Sequence, residues 1–248
     1  MATIKDLANA SKASYSMSKT GSVSSRLEHA QQNAPENYTV MPEHSNIDMT
    51  TFKHNTDNHY IIAHRGTDIH GTGKKKDLLA DLNIMLGNTN NDKLHKKRTK
   101  RTEKIVKALK DDGGDIYLTG HSLGGSTSNH AMIHNKTVRE NVKSLDTFNA
   151  GASPFATKEH KKGSKIHDEL LDKATHHRVG GDDISQHHAG EYIGKNKKYK
   201  TKKKNVFGKS IVKLIKPIIE SSPVGKAIGF VGNRIATTLN SHSLDNFV

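Results

Sequence analysis

"LTGHSLGGS", residues 118–126, sets Ser122 between Gly120 and Gly124. The Gly-x-Ser-x-Gly pattern alone is weak. With 20 Gly and 20 Ser in 248 residues, chance yields it in roughly one such chain in eight. Its flanks decide the reading. "DIYLT" at 115–119 has the β-branched and aromatic content of a short strand, and "GGSTSNHAMIHNKTV" after the serine reads as a helix. Strand, sharp turn and helix form the setting in which a serine hydroxyl is held above a sheet edge. Side chains two residues to either side would collide with neighbouring backbone, hence the glycines. The helix that follows directs its positive end at the hydroxyl.

Working outward, "YTVM" at 38–41, "DMTTFKH" at 48–54 and "HYIIAHRGT" at 59–67 read as strands, preceded by an opening helix at 4–15. Helical spacing recurs at 75–86, and a longer basic helix is expected at 93–111 with Leu94, Ile105, Val106 and Leu109 inward. The Gly pair at 113–114 stops it. Downstream, "SLDTFNA" at 144–150 and "THHRVG" at 175–180 are strands around a helix at 165–174. No internal repeat is present. Strands alternating with helices predict an α/β fold with a mostly parallel central sheet and helices on both faces. The organisation expected is one domain, 1–248, carrying a Lys-rich insertion at about 195–216.

Composition narrows the function. The absence of Cys excludes a disulfide framework, a thiol nucleophile and cysteine-ligated zinc. The N-terminus lacks a secretory signal, and no apolar run approaches a membrane span, so the expected compartment is the cytoplasm or a virion. The net charge of +14 is local, because residues 195–216 hold ten Lys and no acid. Without them, 29 basic residues face 25 acidic ones, leaving +4. "GKSIVKLIKPIIE" at 208–220 has the pattern of a basic amphipathic segment. It follows Lys202, Lys203 and Lys204, and together they are expected to meet an anionic membrane surface. A solvated lysine loop followed by a core helix is the competing reading.

Four blocks together resemble the class 3 (fungal-type) lipases of the α/β-hydrolase superfamily, viral relatives included. "AHRGTD" at 63–68 is similar to the oxyanion-hole block, and "KDLLADL" at 76–82 to the block after it. "GHSLGGS" at 120–126 is similar to the family's nucleophile turn, and "DTFNAGASPF" at 146–155 to the next strand and its turn. His64 stands where the family has Phe, and Leu78 where it has Trp. These departures touch packing and substrate fit before chemistry.

A serine hydroxyl needs a histidine to take its proton and a carboxylate to orient that imidazole. In this superfamily the acid and then the histidine follow the serine in the chain. "HRVGGDDISQHH" at 177–188 resembles the family's acid block, which implies Asp183, before Ile184, as the acid; Asp182 is its rival. "NSHSLDNF" at 240–247 resembles the closing histidine block and implies His242 as the base. His130 and His134 read as a polar helix face. His176–His177 and His187–His188 lack a metal-ligand spacing, so no metal and no cofactor is expected. The oxyanion donors implied are the N–H groups of Leu123 and Thr67, with the Thr67 hydroxyl.

The resemblance implies a serine hydrolase cleaving carboxylic esters of lipids, of triacylglycerol lipase or phospholipase A1 type. The alternative is an inactive hydrolase scaffold serving as a basic membrane- or nucleic-acid-binding module, for which ten Lys would suffice.

Overall fold

The computed structural model describes residues 1–67, 92–151, 164–180, 182, 194–200 and 244–247. The chain opens with α1 (Ile4–Ala13), a 3-10 turn at Ser14–Ser18 and α2 (Val23–Gln32). Thr3 caps α1 in a reciprocal box with Asp6, which satisfies two backbone donors at that helix end. Then come β1 (Tyr38–Val40), β2 (Met49–His54) and β3 (His59–His64). Beyond them follow α3 (Asp92–Lys110), β4 (Asp115–His121), α4 (Leu123–His134), α5 (Lys136–Asn141) and β5 (Val142–Phe148). The described elements end with α6 (Lys165–Leu171), β6 (Ala174–Val179), β7 (Lys195–Tyr199) and a 3-10 turn at Leu244–Asn246.

The seven strands form one sheet in sequential order, β1 to β7. β1–β2 and β2–β3 pair antiparallel, and every pair from β3 to β7 is parallel. Sequential order has a consequence for the layers. Right-handed crossovers that all step the same way across a sheet leave their helices on one face. Accordingly α3, α4, α5 and α6 share a core with Ile62, Leu118 and Leu145. The opposite face is covered from the chain's two ends, by α1 and α2 and by Leu244 and Phe247. Strand residues alternate between the layers: Tyr60 and Ile62 belong to the first core, Ile61 and Ala63 to the second. The fold is thus α/β, mostly parallel, with helices on both faces.

Several expectations are revised in detail. The helix expected beyond Gly124 is interrupted at Asn135, whose side chain caps α5 by accepting the Val138 N–H. The Lys-rich stretch begins as an edge strand, β7, and α2 occupies part of the polar N-terminal region. The helix expected at 75–86 and most of the 195–216 insertion lie outside the described residues.

Candidate active site

Ser122 sits at the junction of β4 and α4 with φ 56° and ψ −125°. A side chain in that backbone region is strained by roughly 1–3 kcal/mol, and such strain persists only where the surroundings enforce it. They do so here through the backbone. The Ser122 N–H donates to the Phe148 carbonyl at 3.1 Å, and its own carbonyl accepts the N–H groups of Ser126 at 3.1 Å and Gly151 at 3.3 Å.

The flanking glycines are steric requirements. A Cβ on Gly120 would lie 2.7 Å from the Gly125 nitrogen, and one on Gly124 would lie 2.9 Å from the Arg65 carbonyl carbon. The first turn of α4 therefore presses on the end of β3, where the Gly66–Thr67 loop departs. Leu123 is the first residue of α4, so its N–H has no acceptor within the helix.

Thr67 is 9% exposed, and its hydroxyl is buried with no hydrogen-bond partner among the described residues. A buried hydroxyl left unpaired costs free energy unless a ligand or water meets it. This loop is held from both sides. Arg98 of α3 donates from Nη1 to the Arg65 carbonyl at 3.0 Å, while its Nη2 lies 3.2 Å from Asp48 Oδ1. Arg101 closes on the other Asp48 oxygen. From the second face comes Tyr15, in the 3-10 turn after α1, whose hydroxyl is 2.8 Å from His121 Nδ1. A Cβ on Gly66 would meet the His121 carbonyl at 2.6 Å and would also collide with the Tyr15 ring, so the loop passes there only as glycine.

Tyr15 and His121 border the serine, yet sequence reading does not find them. They are 106 residues apart, and no local periodicity links them.

Of the other implied residues, Asp183 and His242 lie outside the described residues, as do Lys202, Lys203 and Lys204. Asp182 is fully buried just past β6, its N–H donating to the Val179 carbonyl at 3.2 Å. The end of the chain is anchored to the second face of the sheet. Leu244 is buried, Asp245 pairs with Lys12 at 2.7 Å, and the Phe247 ring lies 5.0 Å from Phe148 and 5.5 Å from Tyr199.

The histidines divide by environment. His130 is buried rather than on a polar face, with Nδ1 2.8 Å from the Thr99 hydroxyl between α4 and α3; His134 is exposed. His176 meets the Thr147 hydroxyl at 2.7 Å. His177 bridges Asp146 at 2.8 Å and the Tyr199 hydroxyl at 2.9 Å, and burial, with the Asp146 charge second, raises the Tyr199 pKa. His64 is fully buried, its nitrogens 2.8 Å from the hydroxyls of Ser128 and Thr102. Burial, followed by the charges of Arg98 and His95, lowers its pKa to about 3, so the ring is neutral. A neutral imidazole offers one donor and one acceptor, which the two hydroxyls complement.

Solved structures similar to this one include the nonglycosylated LIP2 lipase of Yarrowia lipolytica, at 13% identity and a TM-score of 0.44 over 81% of this chain and 79% of that one. A mutant form of MDLA from Penicillium cyclopium gives 13% identity and a TM-score of 0.42 over 82% and 80%. Comparison with curated proteins gives no match. The Mbeg1-like family pattern matches residues 23–175, which run from α2 through the serine turn to the start of β6. With more than half of its length matched, the chain belongs to the Mbeg1-like family.

Proposed function

We propose that this protein is a serine hydrolase that cleaves carboxylic esters of lipids through an acyl-enzyme. The observation that carries the reading is the Ser122 backbone, φ 56° and ψ −125°, where β4 meets α4. A serine held strained at a strand-to-helix junction, beside a buried threonine hydroxyl with no partner among the described residues, has no structural need to be there.

In this reading Ser122 attacks the ester carbonyl while His242 takes its proton, and Asp183 orients and stabilises the imidazolium. The N–H groups of Leu123 and Thr67, with the Thr67 hydroxyl, meet the developing oxyanion. His242 returns the proton to the leaving alcohol, and water then releases the acid. Residues just beyond the base, Leu244 and Phe247, dock on the sheet, which supports bringing His242 to the serine edge. Triacylglycerols and phospholipid 1-acyl esters are the substrate classes proposed. Lys202, Lys203 and Lys204 would draw the enzyme to anionic lipid, an effect read as vesicle binding that weakens with salt.

Labelling with a fluorophosphonate probe is the test. Covalent modification at Ser122, lost in Ser122→Ala, supports the proposal. A folded wild-type protein that stays unlabelled and inactive on ester panels would favour the binding-module alternative.

A further inference from the structure

β2 ends at His54 and β3 begins at His59, and the turn between them carries Asp57. Asp57 Oδ2 lies 3.9 Å from His54 Nδ1 and 3.9 Å from His59 Nδ1. The two imidazoles stack with centroids 4.5 Å apart and planes 23° from parallel. Among the described residues, this is the group of three whose ligand atoms all lie within 4.8 Å of one another. Ligand atoms around a tetrahedral zinc ion are about 3.4 Å apart, given bonds of about 2.0–2.2 Å. Each of the two Asp57–histidine distances needs to shorten by only about half an ångström to reach that spacing.

We propose that the β2–β3 turn is a binding site for a divalent transition metal of the zinc type, with His54, Asp57 and His59 as protein ligands and water completing the coordination. The donor set suits such an ion, since imidazole and carboxylate are ligands for borderline cations. His59 is buried, and its Nε2 is 2.7 Å from the Tyr38 hydroxyl. An outer partner of this kind fixes ring orientation, and in the tautomer that coordinates, Nε2–H donates to Tyr38 Oη while the Nδ1 lone pair faces Asp57.

On the other side, His54 Nδ1 accepts the Asp57 N–H at 3.0 Å and the Thr56 N–H at 3.4 Å, so that nitrogen is unprotonated. Coordination replaces those two amide contacts. The carboxylate is exposed, and the exposed Met1 ammonium lies 3.9 Å from Oδ2. His59 pairs with Asp115 at one end of β3, whereas His64 pairs with Gly120 at the serine end. The metal would clip the hairpin and take no part in ester chemistry.

Zinc chloride is titrated calorimetrically into the full chain after treatment with a chelator, with wild type compared against His54→Ala, His59→Gln and Asp57→Ala. The chain holds 17 His, so the difference between variants is the reading that counts. Expected is one site in wild type that weakens at least tenfold in each variant, with a zinc-dependent rise in Tm lost alongside it. Asp57 is exposed, so Asp57→Ala keeps the test valid should a histidine variant fold poorly. Unchanged affinity and an unchanged zinc-dependent Tm rise in Asp57→Ala and a folded histidine variant would overturn the proposal.

Discussion

Phe148 joins Ser122 to the end of the chain: its carbonyl accepts the Ser122 N–H at 3.1 Å, and its ring meets Phe247 edge-on at 5.0 Å. Phe247 also contacts Tyr199, so β5 and β7 grip the C-terminal segment together. If His242 is the base, this grip sets its position five residues away. Phe247→Ala is expected to lower kcat on a soluble ester at least tenfold and to cost on the order of 2 kcal/mol in stability. His242→Ala should abolish turnover without the stability loss. Urea denaturation and steady-state kinetics read both. A Phe247→Ala enzyme with wild-type kcat would detach the end of the chain from catalysis.

The strain at Ser122 predicts opposed effects on stability and activity. Glycine tolerates φ 56°, ψ −125° at no steric cost, whereas serine does not. Ser122→Gly should therefore raise stability by about 1 kcal/mol, or a Tm increase of about 2–4 °C for a chain of this size, while ending ester hydrolysis. A Tm that falls in Ser122→Gly would mean that the surroundings do not hold the turn under strain.

The two adjacent aspartates and Thr67 separate by kinetics. Asp183→Asn should reduce kcat by several orders of magnitude, as loss of an orienting carboxylate does, and Asp182→Asn much less. Asp182 is buried, so its replacement should appear first in stability. The reverse ranking would move the acid to Asp182. Thr67→Val should lower kcat more than it raises KM, because its donors act on charge that develops in the transition state. A change confined to KM would assign Thr67 to substrate binding.

These residues also mark what the sequence makes legible. The serine turn can be read because its glycines are local steric necessities, and β3 because "YIIA" is a buried apolar run. β7 cannot be read. "KNKKY" has no apolar alternation, and β7, the outermost strand among the described residues, is held by backbone pairing with β6. Tyr15–His121 and Asp48–Arg98 are contacts across long stretches of chain, set by how layers pack and invisible to any spacing rule. His130 looks polar in a helical pattern, yet α3 covers it and supplies a hydroxyl partner.

Asp48 provides a test of how the Arg65–Thr67 loop, the proposed oxyanion loop, is supported. It neutralises Arg98, which is 4% exposed and holds the Arg65 carbonyl two residues before Thr67. Breaking a buried ion pair by removing one partner is destabilising by about 3–5 kcal/mol. Asp48→Asn should lose stability on that scale and also lower kcat, because Arg65 is released. A stable variant with unchanged kcat would show that the loop is set without Arg98.

Two buried histidines should contribute to the acid limb of the stability curve. His64 titrates near pH 3 and His95 near pH 4, burial being the first cause for both and the Arg98 charge the second. In the unfolded chain each takes its proton near 6.5. Between 6.5 and those lower values the unfolded state binds more protons, so stability falls as pH falls, by about 1.4 kcal/mol per pH unit for each ring. Above pH 7.5 neither ring contributes. His64→Phe should remove one of the two contributions. It leaves no hydroxyl stranded, since Thr102 can donate to the Arg98 carbonyl at 2.9 Å and Ser128 to the Thr119 carbonyl at 2.8 Å. The urea midpoint of His64→Phe should decline measurably less steeply than wild type between pH 6 and pH 4.5. An identical slope in the two proteins would show that His64 is protonated in the folded state, or that other groups govern acid unfolding.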